Sequence, residues 1–362
     1  MKPSVFARAA VCGAVFTTSI YAAPTQAAPK PDAGMARVIN QLKADKPVPI
    51  PKLTPANARN QTSPQRAYLE VLSKSGKPTF PPTDISHATV PGPGGKGQTL
   101  VRFFKPADAG NTPLPMVVYF HGGGFVIGNL DVYAPSCRAI ANKANVIVAS
   151  VAYPLAPEHR FPAAPEACYA ALQYLTKNAA SFGGNSKQVA VMGESAGGGL
   201  ATTVCMMAKD RGGLMPVHQV LIYPFVLNSL KLSDSQLYRR YPSYYINRDA
   251  VPLGKAVGQW FWKYYPGPTT AKDPIRYEEP IKATVGQVRA LPPATVVTDE
   301  IDVLHSEGND YATKLKQAGV PVRYRYFTGA THEFFGMSGI VPQADQAQDF
   351  VVAGLKQAFG TS

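Results

Sequence analysis

Short apolar runs alternate with longer helix-forming runs over most of the chain. Seven short runs rich in β-branched and aromatic residues predict strands, at residues 100–105, 116–120, 146–151, 188–192, 220–223, 295–298 and 322–327. Helix-forming runs are found at residues 64–74, 133–144, 164–178, 196–209, 310–318 and 345–359. Because buried strands that alternate with helices form mainly parallel sheets with both faces covered, the pattern predicts an α/β fold.

One segment interrupts this alternation. Residues 226–281 contain no clear strand, and aromatic side chains are concentrated there: Tyr238, Tyr241, Tyr244, Tyr245, Trp260, Phe261, Trp262, Tyr264 and Tyr265. The segment follows one predicted strand and precedes the next, so we expect it to cover the carboxyl edge of the sheet, where α/β folds place their sites. Its aromatic residues either wall an apolar pocket or hold the segment together, and for any single one we expect the second role.

The charge of the chain does not change this picture. A formal net charge of +13 results from 36 Lys and Arg against 23 Asp and Glu, but the basic residues are scattered, and Arg239 and Arg240 form the densest pair. No zinc-finger spacing, basic helix or aromatic RNA-binding motif accompanies them, so we expect no nucleic-acid partner. A hydrophobic content of 45% with 16% charged residues is typical of a globular chain.

The first 27 residues have the layout of a secretory signal peptide. Lys2 and Arg8 precede an apolar stretch at residues 9–22, and small residues before Ala28 provide a cleavage site after Ala27. The apolar stretch is too short for a comfortable membrane span. We therefore expect a secreted or periplasmic protein without an integral membrane span.

Cysteine usage gives no disulfide framework. Cys12 would leave with the signal peptide, and an odd number of cysteines then remains. Cys137, Cys168 and Cys205 all lie in apolar segments with predicted helical structure. We expect them to be buried free thiols.

The most informative motif is Gly193-Glu194-Ser195-Ala196-Gly197. It has the G-x-S-x-G form of a nucleophile elbow, in which a serine lies on a strained turn between a strand and a helix. A predicted strand and a predicted helix flank it as the elbow requires, and its glycines leave room near the serine backbone. A second motif, His121-Gly122-Gly123-Gly124, precedes it by about 70 residues and has the HGGG form that accompanies such elbows.

A serine nucleophile needs a general base, and only one histidine fits that role. On an elbow of this kind the acid and then the base follow the serine along the chain. Three of the six histidines precede Ser195, and His218 lies at the start of an apolar strand. His305 lies at the start of a helix, in the part of the chain where the acid rather than the base is expected. His332 lies in the loop directly after the last predicted strand, so we expect it to be the base.

The acid that orients this base is expected after the preceding strand. Asp299, Glu300 and Asp302 all follow residues 295–298 within a short loop. Asp302 lies between that loop and a helix start, but spacing alone does not separate it from Asp299.

An oxyanion hole requires backbone N–H donors that point at the developing negative charge. The amides of Gly123, Gly124 and Ala196 are the expected donors, because glycine lets the backbone approach a substrate closely. For His121 we expect a structural hydrogen bond within the glycine-rich loop rather than a catalytic role.

Together these motifs resemble the hormone-sensitive-lipase-like family of α/β-hydrolase esterases, over residues 85–358. The matching stretches are residues 121–126, 153–164, 193–198, 291–294, 302–304, 307–308, 311–312 and His332. The resemblance implies an α/β-hydrolase fold with a mostly parallel central sheet, helices on both faces and a helical cap. The acid of this family is the aspartate of an Asp-x-Leu run, which places the role on Asp302 rather than Asp299.

The family's cap is built from the N-terminus and an insertion. By this resemblance, residues 28–85 and 226–281 form the cap, and residues 86–225 with 282–362 form the core. Members of the family commonly hydrolyse esters of short or medium acyl chains. Three positions depart from its usual residues: Glu194 replaces Asp or Thr, Val303 replaces Pro, and Glu333 replaces Gly. A carboxylate beside His332 is expected to raise the pKa of the base or to narrow the leaving-group side.

The sequence thus predicts a serine carboxylesterase that acts on a small-molecule acyl ester, with no metal and no cofactor. Two alternatives stay open: an amidase or peptidase, and a non-catalytic receptor on the same scaffold. Receptors of this kind typically lose the base, whereas Ser195, Asp302 and His332 are all present. A homodimer is compatible with the sequence.

Overall fold

A single eight-stranded sheet forms the centre of the molecule. The computed structural model describes residues 29–77, 81–110 and 112–361, so the predicted signal peptide lies outside the described residues. The strands are β1 Thr83–Pro91, β2 Gln98–Pro106, β3 Leu114–Phe120, β4 Ile147–Val151, β5 Gly184–Glu194, β6 Gln219–Ile222, β7 Ala294–Ile301 and β8 Val322–Thr331. Their order across the sheet is β1-β2-β4-β3-β5-β6-β7-β8. β2 pairs antiparallel with β1 and β4, and all other pairs are parallel.

Helices connect the strands and cover the sheet. They are α1 Ala33–Ala44, α2 Pro55–Arg59, α3 Pro64–Lys74, α4 Ala134–Ala144, α5 Ala163–Lys177, α6 Ala196–Arg211, α7 Asp234–Arg240, α8 Ser243–Ile246, α9 Lys255–Tyr264, α10 Ile275–Glu278, α11 Val285–Val288, α12 His305–Gln317 and α13 Pro342–Phe359. Short 3₁₀ turns add Ile50–Lys52, Pro93–Gly95, Ala179–Phe182, Ser229–Lys231, Pro280–Lys282 and Phe334–Gly336. The predicted mainly parallel sheet with helices on both faces is confirmed.

The central strands β3, β4 and β6 are buried on both faces because neighbouring residues of a strand pack into different cores. In β3, Val118 and Phe120 belong to one apolar cluster, whereas Val117 and Tyr119 belong to the other. This alternation follows from the two-residue period of a strand, and it explains why these central strands have nearly continuous apolar sequences. Cys137, Cys168 and Cys205 are buried and unpaired, as predicted.

One strand and the start of one helix differ from the prediction. β1 is mostly exposed and therefore lacks the apolar run of a buried strand. It begins at Thr83, before the predicted start of the core at residue 86. α12 begins at His305 rather than at residue 310, because its first turn and a half is polar and has no apolar period.

The N-terminal helix α1 packs against α3 and contacts β8. α1 begins after Asp32, whose side chain accepts a hydrogen bond from the amide of Met35 at 2.7 Å. Val38 and Leu42 on its inner face share a cluster with Tyr68 of α3 and with residues of α13. This spacing of apolar residues is a helical signal, so α1 was predictable from the sequence.

A buried glutamate fixes the start of the 226–281 segment. Glu307 of α12 accepts hydrogen bonds from the amides of Val226 and Leu227 at 2.7 and 3.0 Å, and from the hydroxyl of Tyr244 at 2.7 Å. Because these donors are buried, removal of the carboxylate would leave three polar groups without partners. α7, α8, α9 and α10 follow within the segment, which contains no strand. None of the helices in the described ranges is both long and apolar enough to cross a bilayer.

Candidate functional site

Ser195 lies on a sharp turn between β5 and α6. Its backbone angles are φ 55° and ψ −119°, a conformation that residues with a side chain rarely adopt. The turn is closed by hydrogen bonds, among them one from the Ser195 amide to the carbonyl oxygen of Ile222 at 2.9 Å. A Cβ on Gly197 would lie 1.9 Å from the carbonyl oxygen of Phe120, and one on Gly193 would lie 2.1 Å from that of Gly197. Both glycines are therefore required by close backbone contact.

The structure brings Ser195, His332 and Asp302 into one hydrogen-bonded chain. Nε2 of His332 lies 2.9 Å from Oγ of Ser195, and Nδ1 of His332 lies 2.7 Å from Oδ2 of Asp302. His332 directly follows β8 and Asp302 directly follows β7, so both loops leave the carboxyl edge of the sheet where β5 ends. All three side chains are buried, with exposed fractions of 3% or less.

The loop that carries Asp302 is held from two sides. Oδ1 of Asp302 accepts a hydrogen bond from the amide of Leu304 at 2.8 Å. The side-chain amide of Asn247 donates to the carbonyl oxygens of Glu300 and Asp302 at 2.8 and 3.0 Å. Asn247 belongs to the 226–281 segment, so that segment helps to fix the carboxylate that faces His332.

Asp299 lies next to this chain but does not complete it. Its side chain is fully buried in β7, and neither carboxyl oxygen has a hydrogen-bond partner among the described residues. Burial and the nearby charge of Asp302 raise the pKa of Asp299 well above its ordinary value. One ligand atom each from Asp299, Asp302 and His332 lie within 4.8 Å of one another. These are metal-ligand types, but both nitrogens of His332 already face Ser195 and Asp302, so metal binding here would break that chain.

The charges around His332 favour its protonated form. Burial alone lowers the pKa of His332, but the charge and hydrogen bond of Asp302 and the charges of Glu333 and Glu194 outweigh that effect. The pKa of His332 is therefore raised above its ordinary value. Such an imidazole accepts a proton from a serine hydroxyl more readily than an isolated one does.

Three backbone amides near Ser195 point to an anion site. Gly123 and Gly124 have positive φ angles of 106° and 58°, a backbone conformation that glycine adopts more readily than other residues. Among the described residues, the amides of Gly123, Gly124 and Ala196 donate to no backbone or side-chain acceptor. Gly124 and Ala196 are buried and Gly123 is partly buried. Because backbone amides in a protein interior are almost always paired, three unpaired ones beside Ser195 can bind an oxygen with developing negative charge.

The glycine-rich loop is held by residues that sequence analysis did not single out. Nε of Arg59 donates to the carbonyl oxygen of Val126 at 2.8 Å, and its Nη2 donates to that of Ala156 at 2.7 Å. His121 has the structural role that was expected. Its Nδ1 lies 2.7 Å from the carbonyl oxygen of Gly122, and burial lowers its pKa to about 4, so the ring is neutral.

Glu194, the first departure from the family pattern, has two tyrosine partners. The hydroxyls of Tyr119 and Tyr223 each donate to one of its carboxyl oxygens, both at 2.5 Å. Burial and the charge of Glu333 raise the pKa of Glu194 to about 7, although both hydrogen bonds lower it. Glu194 thus lies behind the elbow as a buried carboxyl group whose pKa is raised towards neutral pH.

Glu333, the residue after His332, is hydrogen-bonded by two polar side chains. It adopts a left-handed conformation with φ 75°. The hydroxyl of Tyr133 donates to its Oε1 at 2.6 Å, and the side-chain amide of Gln65 donates to its Oε2. Oε1 of Glu333 lies 3.9 Å from Nε2 of His332. No local pattern predicts this arrangement, because its partners lie far apart in the sequence.

A cavity of about 620 Å³ opens onto Ser195 and His332. Residues 47–51 of the N-terminal segment and residues 250–253 form much of its wall. Of the nine aromatic residues that suggested an apolar wall, Phe261 alone lines the cavity. Trp262 instead packs on Phe125 with a ring-centroid distance of 5.9 Å. The wall is therefore mainly aliphatic and proline-rich, and eight of the nine aromatic residues do not line it.

This arrangement is suited to acyl transfer. A serine hydroxyl that hydrogen-bonds an imidazole, which in turn hydrogen-bonds a carboxylate, is an activated nucleophile. Free amides next to the serine suit the oxyanion of a tetrahedral intermediate. The adjoining cavity offers an apolar surface to one part of a substrate.

The chain is similar to known hydrolases in sequence and structure. Residues 117–336 match the alpha/beta hydrolase fold family. The carboxylesterase NlhH of Mycobacterium tuberculosis is 37% identical over 245 residues, which are 68% of this chain and 74% of that protein. The ethyl acetate hydrolase of Pseudomonas putida is 34% identical over 320 residues, which are 87% of this chain and 93% of that protein.

Solved structures give the same result. An esterase from the hyperthermophilic archaeon Pyrobaculum calidifontis superposes with a TM-score of 0.75 at 33% identity, over 91% of this chain and 98% of that one. A thermostable esterase from Pseudomonas putida superposes with a TM-score of 0.75 at 28% identity, over 92% of this chain and 97% of that one. The similarity therefore extends over nearly the whole described chain.

The contact between Gly124 and Phe261 gives a test of the site's packing. A Cβ on Gly124 would lie 2.0 Å from Cγ of the Phe261 ring, and the residue has a φ of 58°. We expect Gly124→Ala to lower the free energy of unfolding by about 2 kcal/mol or more, because overpacking and left-handed strain combine. Urea denaturation followed by circular dichroism measures the change.

Gly258 is the matched control for this prediction. It lies in α9, near Phe261, and a Cβ there would meet nothing within 4 Å. Gly258→Ala should raise the free energy of unfolding by about 0.5–1 kcal/mol, because alanine is the better helix former. Equal stability of the Gly124→Ala and Gly258→Ala proteins would contradict the contact.

Proposed function

Because this chain belongs to the α/β-hydrolase fold family, and within it to the hormone-sensitive-lipase-like esterases, we propose that it hydrolyses short- to medium-chain acyl esters with Ser195, His332 and Asp302 as its triad. The chain is a carboxylic ester hydrolase, as its esterase relatives and structural neighbours indicate. The observation that carries the triad is the pair of short contacts of His332, 2.9 Å to Ser195 and 2.7 Å to Asp302.

In the proposed reaction Oγ of Ser195 attacks the ester carbonyl carbon. Nε2 of His332 takes the hydroxyl proton and then gives it to the oxygen of the leaving alcohol. Asp302 keeps Nδ1 of His332 in the donating tautomer and stabilises the imidazolium. The amides of Gly123, Gly124 and Ala196 bind the oxyanion, and a single donor of this type is worth about 3 kcal/mol of transition-state stabilisation.

The preference for short acyl chains is supported by the shape of the cavity and by one relative. The cavity beside Ser195 holds about 620 Å³ and is bounded on two sides by the N-terminal segment and by residues 250–253. Both segments occupy space next to Ser195, and we expect them to limit the length of the acyl chain that can enter. The relative named an ethyl acetate hydrolase matches 87% of this chain, which favours small acyl groups here as well.

The nucleophile is tested with a fluorophosphonate probe. Ser195 of the wild-type protein should be labelled, and mass spectrometry of the digest should locate the label on the elbow peptide. Ser195→Ala should remain unlabelled and lose ester hydrolysis while it keeps the wild-type circular dichroism spectrum. Equal labelling of both proteins would show that Ser195 is not the nucleophile and would contradict the proposed triad.

A pair of amide variants distinguishes Asp302 from its neighbour Asp299. Asp302→Asn should lower kcat/KM by two to four powers of ten, because an amide carries no charge for the imidazolium and favours the wrong tautomer. Asp299→Asn should stay within about tenfold of wild type, a barrier change of about 1.4 kcal/mol or less, because the hydrogen bonds of His332 go to Ser195 and Asp302 and not to Asp299. The reverse order of kcat/KM in two folded variants would assign the acid to Asp299.

The acyl preference is measured with p-nitrophenyl esters from acetyl to palmitoyl. The highest kcat/KM should fall on a chain of eight carbons or fewer, and the palmitoyl ester should react at least about tenfold more slowly, because a bounded pocket rejects longer chains. A maximum at palmitoyl, with activation by an oil interface, would instead indicate a true lipase.

A further inference from the structure

Glu333 combines three features that the proposed triad does not require. It directly follows His332, it has a left-handed backbone with φ 75°, and its carboxylate lines the cavity that contains Ser195. Glycine would adopt this backbone without strain, whereas a residue with a side chain carries a cost of about 1–3 kcal/mol. A strained residue persists when the surrounding structure holds it in place, and such residues are concentrated at active sites.

Two hydrogen bonds hold the Glu333 carboxylate in one orientation. Tyr133 donates to Oε1 at 2.6 Å from the loop before α4, and Gln65 of α3 donates to Oε2 from the N-terminal segment. All three side chains are nearly buried, with exposed fractions of 2% for Tyr133, 4% for Gln65 and 9% for Glu333. Each carboxylate oxygen has room for a further donor, because an ionised carboxylate accepts about four hydrogen bonds.

The distance from this carboxylate to the base matches one bound water. Oε1 of Glu333 lies 3.9 Å from Nε2 of His332. For a water oxygen at about 2.8 Å from both atoms, the angle between its two hydrogen bonds would be about 90°, close to the H–O–H angle of water. Such a water can donate one proton to each atom. Its oxygen is then next to Ser195, where the acyl group is attached in the proposed mechanism.

We propose that Glu333 orients the water that hydrolyses the acyl-enzyme. The inference rests on the proposed function, since it needs an acyl group on Ser195. The water oxygen forms a bond to the acyl carbonyl carbon, and one water proton moves to Nε2 of His332. The other O–H keeps its hydrogen bond to Oε1 of Glu333. The tetrahedral intermediate then expels Oγ of Ser195, which takes the proton back from Nε2, and the carboxylic acid leaves.

This role belongs to one half of the reaction. During acylation the group at Nε2 is the leaving alcohol, whose oxygen receives a single proton and has no second O–H for Glu333. During deacylation the attacking water has two O–H groups, and both find acceptors. Glu333 therefore acts as a positioning residue for deacylation, and its loss should separate the rates of the two half-reactions.

The test follows the acetyl group of p-nitrophenyl acetate on Ser195 by rapid-quench mass spectrometry, with nitrophenol release measured in parallel. In Glu333→Gln and Glu333→Gly, the acylation rate should stay within about fivefold of wild type, while the deacylation rate should fall at least about tenfold. The acetyl-enzyme should then approach one equivalent, and kcat should fall while kcat/KM is largely kept. Asp108→Asn removes an exposed carboxylate remote from the site and should change neither rate.

Two further readouts separate positioning from a structural role. Methanol has a single O–H, so transfer of the acetyl group to added methanol should be retained in Glu333→Gln while hydrolysis is lost. The acylation rate is also measured against pH. The fall of this rate at acid pH should shift to lower pH in Glu333→Gln, because removal of a negative charge lowers the pKa of His332. Tyr133→Phe should give a smaller loss of deacylation in the same direction.

The outcomes distinguish failure of this inference from failure of the proposed function. If no acetyl group appears on Ser195 of the wild-type protein, the proposed nucleophile is wrong. If the acetyl-enzyme forms but the Glu333 variants deacylate at the wild-type rate, the role of Glu333 is wrong and the triad stands. Equal losses in acylation and deacylation would likewise overturn it, because they would indicate a structural role.

Discussion

The backbone around Ser195 is packed so closely that two positions of the elbow can carry no side chain at all. A Cβ on Gly193 or Gly197 would lie about 2 Å from a carbonyl oxygen. These close contacts hold the start of α6 against the ends of β3 and β5, and they keep the Ser195 backbone in its strained conformation. Since parallel strands end at the same edge of the sheet, the loops after β7 and β8 deliver Asp302 and His332 to the same point. The positions of Ser195, Asp302 and His332 thus depend on contacts within the main chain.

Four carboxyl groups surround the single imidazole, and each is accommodated in a different way. Asp302 accepts hydrogen bonds and faces His332, whereas Asp299 is buried, and burial together with the charge of Asp302 raises its pKa. Glu194 is bonded by two tyrosines and has a pKa of about 7. Glu333 is tethered at the cavity wall. Burial of several like charges would be costly, so partial neutralisation and hydrogen bonding keep the arrangement stable while the net field favours an imidazolium.

The sequence predicted the parts of the molecule whose signals are local. The seven predicted strands, the helices between them and the elbow each depend on neighbours within a few residues, and chain order selected His332 from six histidines. The partners of Glu333 had no such signal, because Gln65 and Tyr133 are 268 and 200 residues away from it. The same is true of Arg59, which reaches the glycine-rich loop from the N-terminal segment. An exposed strand such as β1 was missed because it buries too little to leave an apolar pattern.

The wall of the cavity differs in composition from the rest of the molecule. At residues 46–51 every second residue is proline, at positions 47, 49 and 51, and the wall on the other side includes Pro252. Proline restricts the backbone before folding, so this wall loses little conformational entropy when it becomes ordered. It also depends little on the pairing of strands. Substitutions or changes of length in the wall can therefore reshape the pocket while the sheet and elbow stay intact. One rigid catalytic scaffold can in this way serve many differently shaped substrates during evolution or in engineered variants.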